Sequence, residues 1–125
     1  MAWVFTDTVP IYKQIVSRIR EDILRGKYSP DEQIPPVRVL ALGAGVNPNT
    51  MQRALGELED EGLLVSRTTV GRFVTSDEAV LSEARALLQK ETVEEILLRA
   101  ASVGISPTEL IQKLTEYRDR EENAT

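Results

Sequence analysis

The stretch that most constrains the fold of this 125-residue chain is residues 45–55, where a glycine turn leads into a capped helix. Asn47 is a residue type preferred at a helix N-cap, and Pro48 suits the first helical position because its missing N–H is not needed there. Apolar residues then recur at helical spacing and predict one buried stripe: Met51, Ala54, Leu55 and Leu58. The stretch therefore predicts a tight turn followed by an amphipathic helix.

The other faces of this predicted helix carry hydrogen-bonding side chains: Asn49, Thr50, Gln52 and Arg53. Amide, hydroxyl and guanidinium groups near the start of a helix are suited to bonding base edges in a DNA major groove. An ordinary capped surface helix would carry the same residue types. These positions alone therefore leave DNA binding and a purely structural role open.

The length and composition indicate one modest globular domain with an appendage. The sequence has no run of eighteen apolar residues and no basic segment followed by an apolar stretch at its start, so we expect neither a membrane span nor a secretion signal. It has no cysteine, which excludes disulfides and thiolate metal sites and fits a cytoplasmic protein.

The net charge of −5 is distributed unevenly along the chain. Residues 1–76 hold nine basic and nine acidic side chains, whereas residues 77–125 hold six basic and eleven acidic ones. No acidic residue occurs between Gln33 and Gly56, although Arg38 and Arg53 lie there. Because phosphate contacts dominate nonspecific affinity, we expect weak binding to random DNA, while a local basic face on a dimer is still able to bind a specific site.

The first 76 residues predict a winged helix-turn-helix domain, within a mainly α-helical fold that has one small β-hairpin. The predicted elements are a helix from Pro10 that stops at Gly26, an extended piece at residues 33–34, a short helix from Pro36 to about Leu42, a helix from Pro48 to about Glu61, and hairpin strands at residues 64–68 and 72–75. A short turn at residues 43–45 connects the second and third helices. Three helices followed by a hairpin are typical of the winged fold.

Residues 77–125 predict a helical tail. Two apolar stripes, which start at Leu81 and Val93, are out of phase with each other, and a capping box at Thr92 and Glu95 is one explanation of that change. We favour one long bent helix over two separate ones. Ser106 and Glu109 form a clearer capping box for a final helix.

Two amphipathic helices without a third cannot bury their own apolar faces well. We therefore expect the tail to form a homodimer with a second chain. The alternative is that the tail helices fold back onto the winged domain.

Several separated motifs together closely resemble the GntR family of bacterial transcription regulators. They are residues 10–15, 34–38, 45–50, 54–55, 58–64 and 71–74. The short two-helix tail resembles the YtrA subfamily, whose members lack a large effector-binding domain. The resemblance implies a homodimeric DNA-binding repressor, and two recognition helices about one helical turn apart imply an inverted-repeat operator in double-stranded DNA.

The resemblance also implies which positions contact DNA: Arg38, Asn47, Asn49, Thr50, Gln52, Arg53, Gly71 and Arg72. Arg38 corresponds to an arginine at the start of the second helix that contacts phosphate or guanine, and Gly71 to the glycine at the wing tip. Arg72 stands where the family commonly has threonine. The wing has one glycine and one cation fewer than the family pattern, so minor-groove contact by the wing is left open.

The sequence also bears on two other classes of function. An enzyme is disfavoured, because the chain has no histidine, no cysteine and no glycine-rich phosphate loop, and the carboxylates of residues 59–61 are expected to be solvated charges on a helix. The alternative is a winged-helix protein-interaction module that does not bind DNA. No residue pattern indicates a cofactor, a metal or a small-molecule effector.

Overall fold

A computed structural model describes residues 2–124 and confirms a mainly α-helical fold with one hairpin. Its elements are α1 (Ile11–Leu24), α2 (Val37–Ala44), α3 (Pro48–Asp60), β1 (Leu64–Arg67), β2 (Gly71–Val74), α4 (Glu78–Ser102) and α5 (Pro107–Asn123). The chain forms two compact units, Met1–Arg85 and Ala86–Thr125. None of the helices in the described part of the chain is both long and apolar enough to cross a membrane.

The core of the first unit is centred on α3, which packs against α1, α2 and β1. Its most deeply buried large side chains are Ile15, Met51, Leu55, Leu58, Leu63, Leu64 and Val74. Each such side chain contributes about 1.5–3 kcal/mol by leaving water. The predicted apolar stripe of α3 is confirmed, since all four of its members are buried. The opposite face of α3 is therefore free of core packing.

Helix α2 differs at both ends from the sequence prediction. Pro36 is the N-cap residue and not the first helical residue, and the helix continues past Leu42 to Ala44. Ala44 is buried, and its packing keeps the chain helical through Gly43, beyond the predicted helix end near Leu42. The turn itself is made by Gly45, which adopts the left-handed conformation with φ of 74° and donates its N–H to the Ala41 carbonyl.

The two strands form an antiparallel hairpin, residues 64–74, which we call the wing. Its register pairs Leu64 with Val74 and Ser66 with Arg72. The predicted extended piece at residues 33–34 is confirmed, because Gln33 bridges to Phe73 and the Ile34 N–H donates to the Arg72 carbonyl. The segment before α2 is thus joined to the outer edge of the wing.

The second unit comprises α4 from Ala86 onward together with α5. Helix α4 is continuous, as favoured from the sequence, and Thr92 does not cap a new helix: its hydroxyl donates to the Leu88 carbonyl at 2.8 Å. Ser106 does cap α5, since its hydroxyl accepts the Glu109 N–H at 3.1 Å. Among described residues 86–124, Ala100 is the one buried residue.

Candidate nucleic-acid interface

The start of α3 is built by a side-chain cap. The Asn47 side-chain oxygen accepts the Asn49 N–H at 2.7 Å, and Pro48 follows in the first helical position. This confirms the predicted cap. Asn47 keeps its amide on an exposed surface, so one residue can fix the helix start and also face a ligand. The N-terminus of a helix also carries partial positive charge that favours a phosphate group.

The α3 positions predicted to contact DNA lie on the surface of the helix that does not pack into the core. Asn49, Gln52 and Arg53 are exposed, and Thr50 is half-buried. Arg38, the second residue of α2, is exposed as well. The structure therefore brings four of the candidates together on the first two turns of α3 and places Arg38 on the preceding helix.

Arg53 has a partner that the sequence did not reveal. Its guanidinium carbon lies 3.7 Å from the centroid of the Tyr12 ring, which belongs to α1. The contact links residues 41 positions apart and depends on the packing of α1 against α3. The only sequence signal was the presence of Tyr12 within a family-like motif, which gives no partner.

Arg72 is not a solvent-facing cation of the wing. Its Nε donates to the Glu59 carboxylate, and its Nη1 lies 3.4 Å from the Gln52 side-chain oxygen. Only 16% of the Arg72 side chain is exposed. Arg72, one of the positions that the resemblance assigns to DNA contact, is therefore turned toward α3.

Glu59 is correspondingly not a solvated charge, and that prediction was wrong. The carboxylate also accepts the Ser66 hydroxyl at 2.9 Å. Burial tends to raise the pKa of Glu59, but the hydrogen bonds from Arg72 and Ser66 and the positive charge of Arg72 outweigh it, so the net pKa lies below the ordinary value. The neighbouring Glu61 is paired with Arg20 of α1 at 2.5 Å.

The wing tip is held by Gln33, another residue that the sequence did not single out. Its side-chain amide donates to the Val70 carbonyl at 2.7 Å. Gly71 beside it has φ of 135°, and a Cβ there would come within 2.7 Å of the Gln33 amide nitrogen. Glycine is favoured here because L side chains rarely adopt this φ, and a Cβ would also displace the Gln33 amide. On β1, Arg67 is paired with Asp31 and lies over the Phe73 ring.

The distribution of charged residues makes the helix-turn-helix part of this surface suitable for binding an anionic ligand. Residues 33–56 contain no acidic side chain but include Arg38 and Arg53. The acidic side chains at the far end of α3 include Glu59 and Glu61, whose ion pairs with arginines offset their charge. Among residues 2–124, no cluster of acidic side chains is arranged to hold a metal ion.

Comparison with known proteins identifies what this arrangement resembles. Residues 11–74 match the family described as bacterial regulatory proteins, gntR family. The HTH-type transcriptional repressor YtrA of Bacillus subtilis is 31% identical over 111 residues, which are 88% of this chain and 82% of that protein.

Two solved structures extend the comparison. A GntR family transcriptional regulator from Listeria monocytogenes has a TM-score of 0.78 and 31% identity, with 90% of this chain and 98% of that chain covered. AraR(DBD) in complex with operator ORE1 has a TM-score of 0.53 and 33% identity over 60% of this chain and 93% of that chain. The similarity therefore includes a winged domain seen on operator DNA.

Proposed function

The chain belongs to the GntR family of DNA-binding bacterial transcription regulators, and from this premise we propose that it is a repressor that binds an inverted-repeat operator as a homodimer. The relatives and the fold are those of regulators and not of enzymes. The repressor role is supported by the printed name of YtrA from Bacillus subtilis. A regulator of this kind acts in the cytoplasm, where bacterial operator DNA is found.

The observation that carries the proposal is the capped, core-free polar face of α3. Asn49, Gln52 and Arg53 are exposed on consecutive turns of a helix whose other side is fixed by buried apolar residues. A rigid helix with amide and guanidinium groups on one surface can place them against base edges in a major groove. We assign base contacts to these three residues and to Thr50.

Neighbouring residues are assigned supporting contacts. Arg38 on α2 is exposed and is suited to a phosphate or a guanine. Asn47 caps α3 and faces outward next to the helix N-terminus, where a phosphate would be favoured. Gly71 allows the wing backbone to turn at its tip, close to the DNA.

The homodimer is supported by the apolar surface of the second unit. Large apolar side chains there are about half exposed or more: Leu87, Val93, Ile96, Leu98, Val103, Ile111, Leu114 and Tyr117. Exposed apolar side chains in this number are typical of an interaction surface, and a second copy with the same surface would give a closed two-fold interface. Two α3 helices related by that symmetry would read half-sites about 34–36 Å apart.

The four residues assigned base contacts form a surface of α3 that we call the reading face. The experiment measures the DNA affinity of reading-face variants by fluorescence anisotropy, on a duplex that the protein has selected from random sequences. Asn49→Ala and Arg53→Ala are expected to lower affinity for that duplex by about fivefold or more, since one good base contact contributes about 1–3 kcal/mol. Lys113→Ala, which removes an exposed cation from α5, is the matched control. If neither reading-face variant weakens binding, the assignment of α3 is wrong.

Salt dependence tests the alternative of an interaction module without DNA binding. A DNA reader loses affinity steeply as salt rises because phosphate contacts release counterions. A module that binds only protein has no DNA affinity to lose. Absence of DNA binding at low salt would therefore favour the alternative.

A further inference from the structure

We propose that Arg72 is a positioning residue that turns the Gln52 side chain so that Gln52 reads guanine in preference to adenine. The inference rests on the proposed function, since it requires α3 to lie in a major groove. It goes further by assigning the base specificity of one residue to a contact from the wing. The chain of contacts runs from Glu59 through Arg72 to Gln52.

The Glu59 carboxylate is the anchor of this series of contacts. One oxygen of Glu59 accepts both Arg72 Nε and the Ser66 hydroxyl. Ser66 and Arg72 are cross-strand partners in the hairpin register, so their side chains lie on the same face of the wing. The anchor therefore ties the wing to α3 through two donors from one strand pair.

Helical geometry explains how Arg72 reaches Gln52. Gln52 and Glu59 are seven residues apart, which is close to two turns and places them on one face of α3, roughly 10 Å apart along the axis. The guanidinium is planar and its N–H groups point in fixed directions. Once Nε is bound to Glu59, the direction of Nη1 is set, and it lies 3.4 Å from the Gln52 oxygen.

The contact determines which group Gln52 presents outward. With its oxygen turned toward Arg72, the side chain offers its NH₂ group, which is a donor only. A glutamine that reads adenine uses both groups at once, because it accepts from N6 and donates to N7. Guanine presents two acceptors, N7 and O6, in the same groove. A donor held outward therefore fits guanine better than adenine.

The test uses the full chain and measures base preference, not affinity alone. Gln52→Ala first identifies the operator position whose base preference depends on Gln52. Dissociation constants are then measured with guanine and with adenine at that position. The wild type is expected to favour guanine by about fivefold or more, the lower limit for one good contact.

Two variants interrupt the Glu59–Arg72–Gln52 contacts at different points. Arg72→Lys keeps the positive charge but lacks the rigid fork, and Glu59→Ala removes the anchor while leaving Arg72 and Gln52 in place. Both are expected to reduce the guanine preference to less than about twofold. Arg67→Lys is the matched control on the neighbouring strand, because Arg67 is paired with Asp31, and it should keep the wild-type preference. Circular dichroism and thermal unfolding check that each variant is folded.

The outcomes separate this inference from the proposed function. If folded Arg72→Lys and Glu59→Ala both keep the full guanine preference, Arg72 is only a brace between the wing and α3, and the inference is overturned. A wild-type preference for adenine at the Gln52 position overturns it as well. If the wild type selects no DNA sequence, the proposed function itself fails. Loss of the preference in both variants but not in Arg67→Lys supports the inference.

Discussion

Arg53 on α3 and Tyr12 on α1 form a cation–π contact, with the guanidinium carbon 3.7 Å from the ring centroid. The pair joins the reading face of α3 to the helix that packs behind it. Because the long arginine side chain otherwise has many rotamers, we expect the ring to restrict it and to lower the entropy cost of the proposed DNA contact. Tyr12 is therefore expected to prepare Arg53 for that contact.

Replacing Tyr12 by leucine is expected to weaken operator binding by roughly two- to fivefold, the effect of about 0.5–1 kcal/mol for a partly exposed cation–π pair. Tyr12→Phe keeps the aromatic face and should bind within about twofold of the wild type. Fluorescence anisotropy on the selected duplex measures both. Equal affinity of Tyr12→Leu and wild type would show that the ring does not prepare Arg53.

The two roles of Asn47 can be separated by substitution. Asn47→Ala removes the oxygen that accepts the Asn49 N–H and should lower the free energy of unfolding by about 1 kcal/mol. Asn47→Asp keeps a capping oxygen, so its stability should match the wild type, but its negative charge should weaken DNA binding. Urea unfolding and anisotropy give the two readouts. An Asp variant with undiminished DNA affinity would remove Asn47 from the interface.

Two glycines should respond in opposite directions to alanine. Gly56 lies inside α3 with open space where a Cβ would stand, so Gly56→Ala should raise the free energy of unfolding by about 0.5–1 kcal/mol. Gly45 has φ of 74°, and its Cβ would lie 2.8 Å from that of Ala2. Gly45→Ala should therefore lower stability by about 1 kcal/mol or more. Thermal unfolding measures both variants, and a Gly45→Ala variant as stable as the wild type would contradict the strain expected at this turn.

The lowered pKa of Glu59 predicts a pH-dependent contribution to stability. The folded-state pKa lies below the unfolded value, near 4.5, so the contribution is present above that pH and is lost as pH falls through the folded pKa. Glu59→Gln should be less stable than the wild type at neutral pH, and the difference should shrink in acid. Urea unfolding at about pH 7 and about pH 3 measures this. A difference that does not change with pH would show that the Glu59 carboxylate is not stabilised in the fold.

Charges placed on the apolar face of α5 should disrupt the proposed homodimer. The double variant Ile111→Glu, Leu114→Glu puts two carboxylates on a face where both side chains are more than half exposed. It should sediment at half the mass of the wild type and lose most of its operator affinity. Gln112→Glu adds charge at an adjacent exposed position and is the control. A double variant that stays dimeric would place the interface elsewhere.

Sequence patterns over a few neighbouring residues were enough to predict most elements of the fold. The cap at Asn47, the cap at Ser106 and the two runs of the hairpin each depend on residues a few positions apart. The end of α2 was not predictable in this way, because burial of Ala44 keeps the chain helical beyond Gly43.

The candidate site was predictable as a surface but not as a set of contacts. The exposed face of α3 follows from the apolar period of its buried face. The partners of Arg53, Val70 and Arg72 come from other elements, so only the packed structure reveals them. The division of function at residues 76 and 77 stays a prediction. The first compact unit runs through Arg85, whose Nε donates to the Leu24 carbonyl.

The most direct test of the central claim is selection of the purified full chain against randomised duplex DNA, followed by sequencing of the retained pool. We predict a two-fold inverted repeat with half-site centres about one helical turn apart. We also predict that bases within each half-site change their preference when Asn49, Gln52 or Arg53 is replaced by alanine. Recovery of no motif at low salt, or of a motif without two-fold symmetry, would contradict a homodimeric regulator that reads DNA through α3.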